Sequence, residues 1–363
     1  MKILFIAPLP PPVTGHSLAC QVLYEFLQKK GHNVGLINLS KKGFKHGVNS
    51  FSRVIEIFEI IFNVFLWRKN YDLIYFTPSE SLSGNFKDLL IYAVLGQRLS
   101  NTYIHLHGGG GMRVLLSSAR PWLRYLNGWF LQRLAGVIVL GARHKDIYAG
   151  LVKYGQIHVV KNFADDDVFI DDVKLQAKFA NVELIHVLFL SNLIPGKGYE
   201  YLISAIKMMP LQVRTQFSFD FAGGFESEDA KNDFLESIRN LNEVQYHGIV
   251  LGKEKCRLLH KAHIFCLPSY LPEGQPISIL EAFAAGCAVI TTNCGGVFDI
   301  FTPGTNGIEV DYKSAESIAY GLGMFATNHA LLQQFGLANV EEARSQYRKQ
   351  HHLLRLCHCL GLD

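Results

Sequence analysis

The sequence has no apolar run long enough to cross a bilayer. Its longest apolar region, Val54 to Trp67, is interrupted by Glu56, Glu59 and Asn63, whereas a spanning helix needs about 20 nearly unbroken apolar residues. It also lacks a leader-like start. Lys2-Ile3-Leu4-Phe5-Ile6-Ala7 runs straight into prolines, which suits a buried first strand and not a secretory signal. Cysteine is sparse: Cys20, Cys256, Cys266, Cys287, Cys294, Cys357 and Cys359 are odd in number and scattered. That excludes a disulfide scaffold and points to reduced thiols in a cytoplasmic protein. The tail His351 to Cys359 mixes histidine and cysteine but has no second ligand pair at finger spacing, so it is expected as a helix and not as a metal site. The turn after the first strand lacks the G-x-G-x-x-G fingerprint of a nicotinamide-binding fold. The net charge is only +4, and nucleic acid is not expected as a partner.

What is present is a chain of 363 residues, 49% hydrophobic and 18% charged, enough for two domains with large cores. The charge is uneven. Met1 to Lys178 carries 21 basic against 12 acidic residues (+9), and the remainder 14 against 19 (−5), so only the first half is expected to face an anionic partner. Short apolar runs alternate with amphipathic stretches throughout. Strands are expected at Lys2–Ala7, Asn33–Asn38, Asp72–Thr77, Thr102–His107, Gly136–Leu140 and Ile157–Lys161. The pattern restarts at His186–Ser191, Phe217–Ala222, Val244–His247, Ile264–Leu267, Ala288–Thr291 and Gly307–Val310. Such alternation implies an α/β architecture of two doubly wound, Rossmann-like domains with parallel sheets facing a central cleft. The expected boundaries are an N-terminal domain 1–164, an acidic linker 165–182, a C-terminal domain 183–345, and a last helix 346–363 that could pack back on the first domain. Asp165, Asp166 and Asp167 lie in the linker and not at a strand end, so no metal is assigned to them.

The densest motif is Pro272-Glu273-Gly274-Gln275-Pro276-Ile277-Ser278-Ile279-Leu280-Glu281-Ala282. It follows an expected strand; Pro276 suits a helix start and Gly286 a helix end. Glu273 is then in the loop, and Glu281 about two turns into the helix. Eight residues advance a helix by about 800°, so the carboxylates would not share a face even if one helix held both. The spacing favours two acceptors holding different parts of one long ligand, with phosphate near the free amides of the helix start; two ordinary surface glutamates remain the alternative. Leu267 to Val310 as a whole closely resembles the donor site of retaining glycosyltransferases of family four, which have the GT-B fold, and further landmarks extend the resemblance along nearly the whole chain. It implies that Glu273 contacts the donor sugar and Glu281 the ribose, with backbone amides at Gln275 to Ile277 beside sugar and phosphate and Gly274 and Pro276 in the same donor-binding loop.

Other stretches fit that resemblance. Ser191 to Gly198 stands where the family holds the donor diphosphate with two cations. Lys197 matches one; Asn192 replaces the expected arginine and with it a bidentate clamp. His105-Leu106-His107-Gly108-Gly109-Gly110-Gly111 ends a strand, and His107 matches the family's histidine near the reaction centre. Strand alternation points His105 the same way, so the choice between them stays open. The same glycines could form a lipase-type oxyanion hole, but no Gly-x-Ser-x-Gly elbow accompanies them. Gly15 matches the family's first-loop glycine, and Gly223 a loop near the nucleotide. Gly295-Gly296-Val297-Phe298-Asp299 departs from the family's Gly-Gly-x-Pro-Glu, which removes any role carried by that proline or glutamate.

The resemblance implies transfer of a hexose-type sugar from a nucleoside-diphosphate sugar, UDP ahead of GDP, with retention of configuration and without metal or other cofactor. The expected acceptor is a lipid-linked oligosaccharide in surface-polysaccharide assembly. Arg113, Arg120, Trp122, Arg124, Tyr125, Trp129 and Arg133 crowd one segment, which points to an anionic membrane surface and a peripheral place on its cytoplasmic face. The alternatives are a nonenzymatic sugar-nucleotide-binding subunit of a synthase, or another GT-B enzyme, either an epimerase or a transferase with a soluble acceptor.

Overall fold

The computed structural model describes residues 1–40 and 50–362. The chain forms two compact units, residues 1–161 with 352–363 and residues 162–351. In the first, β1 (Lys2–Ala7), β2 (Asn33–Asn38), β3 (Leu73–Phe76), β4 (Thr102–Leu106), β5 (Gly136–Val139) and β6 (Ile157–Val159) form one sheet in the order β2-β1-β3-β4-β5-β6. In the second, β7 (Ile185–Leu190), β8 (Phe217–Ala222), β9 (Val244–Tyr246), β10 (Ile264–Leu267), β11 (Ala288–Thr291) and β12 (Gly307–Glu309) form another in the order β12-β11-β10-β7-β8-β9. Every pairing is parallel. Central strands such as β5 and β10 are buried along their whole length, as an apolar strand must be when helices cover both faces.

The acidic stretch 165–182, expected as a linker, is built into the second unit. Asp171 caps the helix Asp172–Ala180 by accepting from the Lys174 amide (2.8 Å), and Asp165 pairs with Lys349 (2.9 Å). Val168, Ile170 and Leu175 are buried between these acids. The aspartates are helix caps and ion-pair partners, and a single short helix with one buried face leaves too few apolar residues to show a period.

Residues 352–363 belong with the first unit. Leu356 and Leu360 of the helix Lys349–Leu360 are buried in one cluster with Ile3, Phe5, Cys20 and Leu23. All seven cysteines are free. Among the described residues, no helix is long and apolar enough to cross a membrane.

Candidate functional site

In the second unit the turn 191–198 follows β7, and the turn 223–226 follows β8. Leu193 donates its amide to the Gly224 carbonyl (2.8 Å), so the two turns run side by side at the carboxyl edge of the sheet, where parallel folds take their ligands. Gly223 sits there at φ +148°, and a Cβ on it would overlap the Ser191 carbonyl. Only glycine permits that approach. From the first turn Lys197 reaches Glu273, its Nζ donating to Oε1 at 2.6 Å, while Ser269 Oγ donates to the same oxygen at 2.7 Å. The Glu273 carbonyl in turn accepts from the Gly296 amide (2.9 Å), and the backbone of Glu273 leaves no space for a side chain on Gly295 (φ +53°). The glycine pair thus holds the loop that carries Glu273. Asn192 is exposed beside Gly224.

Pro276 is the N-cap of the helix Ile277–Ala284. Gly286 ends the helix at φ +72°, with its amide on the Phe283 carbonyl and the Cys287 amide on that of Ala282, both 2.9 Å, a Schellman end. The amides of Ile277 and Ser278 precede the first intrahelical acceptors and are free to meet an anion; Pro276 has none to offer. Glu281 lies little more than one turn along, not the two expected, because the helix begins only at Ile277. It is 4% exposed, and its Oε1 accepts from Lys255 Nζ at 2.6 Å. Burial pushes its carboxyl above the ordinary carboxylate range, against the pull of Lys255. Gln275 is half occupied: Oε1 accepts from the Asn162 amide, and the Gln275 carbonyl accepts from Asn162 Nδ2, each at 3.0 Å. Its Nε2 is buried without a hydrogen-bond partner.

In the first unit His105 and His107 point to the same side of β4, with ring centroids 4.0 Å apart. His105 is fully buried, its Nδ1 2.6 Å from the Tyr75 hydroxyl. His107 is half-buried, stacks on His16 at 4.3 Å, and lines a cavity of about 940 Å³ together with His16, Glu56, Glu59, Glu80 and Lys87. Burial holds both rings well below the ordinary histidine value. They are neutral at pH 7, able to accept or donate one hydrogen bond but not to serve as a ready acid.

The glycine run beside His107 is closed from within. Glu80 Oε2 accepts from the amides of Gly109 (2.8 Å), Gly111 (3.0 Å) and Met112 (3.3 Å). The donors that a lipase would aim at an oxyanion are taken by a carboxylate. Glu80→Ala orphans all three, and we expect urea denaturation to show a loss of about 3 kcal/mol with nucleotide affinity unchanged.

The chain aligns over 99% of its length with 99% of HepE from Anabaena, solved with UDP and glucose, at TM-score 0.72 and 16% identity; that likeness shows the GT-B fold. Residues 172–339 match the family described as glycosyl transferases group 1. Over 161 residues the chain is 29% identical to 2-deoxystreptamine N-acetyl-D-glucosaminyltransferase of Niallia circulans, covering 44% of this chain and 41% of that protein. Over 167 residues it is 23% identical to N,N'-diacetylbacillosaminyl-diphospho-undecaprenol alpha-1,3-N-acetylgalactosaminyltransferase of Campylobacter jejuni, covering 45% and 42%. The alignment thus spans about two fifths of each relative's own length.

The matched stretch contains Asn192, Lys197, Gly223, Gly274, Gln275, Pro276, Ile277 and both glutamates; Gly15 and His107 lie outside it. Gly15 opens the helix Gly15–Lys29, where Thr14 and Ser17 cap one another's amides at 3.1 and 2.9 Å. Sequence reasoning missed Lys255 and Ser269. It also missed His16 and Cys20, although their spacing of four puts both on one helix face. The basic cluster of residues 113–133 is thinner than expected. Arg113 forms a bidentate pair with Asp146 (2.6 and 2.8 Å), and Arg124 donates to the carbonyls of Leu116 (2.6 Å) and Ala149 (2.8 Å). The aromatics are what stand exposed: Trp122, Tyr125 and Trp129, with Phe86 stacked on Trp122 at 6.1 Å.

Proposed function

We propose that the protein transfers a hexose-type sugar from a nucleoside-diphosphate sugar, UDP ahead of GDP, to a lipid-linked glycan with retention of configuration. One observation carries this reading: two carboxylates, Glu273 and Glu281, each matched by a lysine, stand on either side of the Ile277 helix start. Glu281 takes the ribose hydroxyls and Glu273 the sugar. Without ligand, Lys197 is held by Glu273. A diphosphate draws Lys197 to itself and frees Glu273 to accept from sugar hydroxyls, so one movement couples phosphate capture to sugar recognition. Lys197 and the amides of Ile277 and Ser278 then stabilise the departing diphosphate without a metal. The first unit supplies the acceptor cavity and His107. The departing phosphate helps to remove the acceptor proton, and no side chain is assigned as general base.

The lipid acceptor and a peripheral membrane location rest on the exposed apolar residues of the first unit. Phe58, Phe62 and Phe65 of the helix Ser50–Trp67, Phe86 and Leu90 of the helix Leu82–Leu95, and Trp122, Tyr125 and Trp129 of the helix Pro121–Leu131 all present large side chains to solvent. Aromatic-rich faces of this kind suit a headgroup interface. The Campylobacter relative's name specifies an undecaprenol-linked acceptor, whereas the Niallia relative's names a small aminocyclitol. The test is a panel of UDP- and GDP-sugars offered with acceptors in anionic vesicles and in solution, with the product anomer read by NMR. Transfer confined to vesicle acceptors with retention supports the reading; inversion, or transfer to soluble acceptors alone, overturns it.

The exposed Asn192 favours a second reading, a donor-binding subunit without transfer, which would bind nucleotide-sugar yet show neither transfer nor hydrolysis. Asn192→Arg restores the missing fork, and we expect calorimetry to show about tenfold tighter diphosphate binding, or about 1.4 kcal/mol. Unaltered or weaker binding would mean that Asn192 is not simply a weakened clamp.

A further inference from the structure

His16 and Cys20 stand one helical turn apart on the helix Gly15–Lys29 and face His107 beyond the end of β4. One ligand atom from each of the three lies within 4.8 Å of the other two, and Cys20 Sγ is 3.8 Å from His107 Nε2. Tetrahedral zinc holds thiolate and imidazole ligand atoms roughly 3.3–3.8 Å apart, so a small contraction closes the set. The environment fits as well. Cys20 is fully buried, and His16 Nε2 is buried without a hydrogen-bond partner. The Tyr75 hydroxyl, 3.5 Å from His107 Nε2 and 2.6 Å from His105 Nδ1, lies in the outer shell. The cavity lined by His16 and His107 gives an ion a way in and leaves room for a water as fourth ligand.

We propose that His16, Cys20 and His107 form a binding site for a thiophilic divalent cation, with zinc the best match. Two nitrogens and a sulfur select a borderline-soft ion over magnesium or calcium, which prefer oxygen. Both imidazoles are held neutral by burial and so are ready to ligate, while the buried thiol keeps its proton in the free protein. On binding, the Cys20 S–H bond breaks, the sulfur–metal bond forms, and one proton passes to water. Occupancy would also withdraw His107 from sugar transfer, a consequence that rests on the function proposed above.

The test is a titration of the purified full chain with Co²⁺, followed by Zn²⁺. One equivalent of Co²⁺ should bind with thiolate-to-cobalt absorption and be displaced by Zn²⁺. Cys20→Ala and His16→Gln should each weaken binding by more than the roughly 10–100-fold typical of outer-shell losses. The half-buried His16 position covers the case in which the Cys20 variant does not fold. Absence of the thiolate band, or variants that bind as tightly as the parent, would overturn the site. Zinc-loaded protein that still transfers sugar at full rate would leave the metal site standing and remove His107 from the chemistry.

Discussion

Glu281→Ala is expected to lower affinity for the donor nucleotide by about 100-fold, the loss of two charge-assisted hydrogen bonds to ribose at about 1.5 kcal/mol each. The same substitution strips Lys255 of its buried partner, held at 2.6 Å with side-chain exposures of 16% and 6%. Removing one member of such a pair costs about 3–5 kcal/mol, so the second unit should also unfold at lower urea. The two losses separate by design. Lys255→Met with Glu281→Leu replaces the pair with apolar residues of similar length, which is often neutral or stabilising. Stability should therefore return in the double variant while nucleotide affinity does not. Recovery of affinity along with stability would mean that Glu281 only holds the helix and touches no ligand.

Acidification between pH 6.5 and 4 is the second large effect. His263 is locked as a neutral ring: its Nδ1 accepts from the His186 amide (3.0 Å), and its Nε2 donates to the Lys178 carbonyl (3.1 Å). Burial, helped by Lys178, lowers it to about 4, and burial lowers His352 in the first unit to about 4 as well. In each case the unfolded chain takes up a proton near pH 6.5 and the folded chain does not. Stability is therefore full above 6.5 and falls as pH drops towards 4, by about 3 kcal/mol per histidine. Asp88 works the other way. Burial raises its carboxyl to about 6, so the folded state gains on acidification in part of the same window. His16, lowered to about 4, and His105 and His107, which burial also lowers, join His352 in outweighing it. In the second unit the raised Glu281 opposes His263 in the same sense. Urea denaturation at pH 7, 5.5 and 4.5 should show a falling midpoint, and His263→Gln should reduce the slope by about 1.4 kcal/mol per pH unit. A flat profile in the parent would contradict the neutral lock.

The sheets were legible because their cause is local. A parallel strand buried on both faces must be a short apolar run, and Ile264–Leu267 or Gly136–Val139 can be little else. The helix stop at Gly286 and the close turn at Gly223 were legible for the same reason, since positive φ restricts the residue type. Partnerships across the fold were not. Nothing in the chain links Lys255 to Glu281, or Glu80 to the amides that follow His107, because those contacts are set by how separate elements stack. The acidic stretch misled because Asp165 and Asp171 serve as caps and pair partners, roles that resemble loop composition. The arginines of residues 113–133 misled similarly: their charge was visible, but the Asp146 carboxylate and the backbone carbonyls that occupy Arg113 and Arg124 were not.

The central claim is that the second unit holds a nucleoside-diphosphate sugar between Lys197, Glu273 and Glu281. Calorimetric titration of the full chain with UDP, GDP and their sugars tests it most directly. The account predicts that one nucleotide series binds at one equivalent, weakened in Lys197→Ala and weakened further in Glu281→Ala. Heats indistinguishable from dilution for every nucleotide would contradict it.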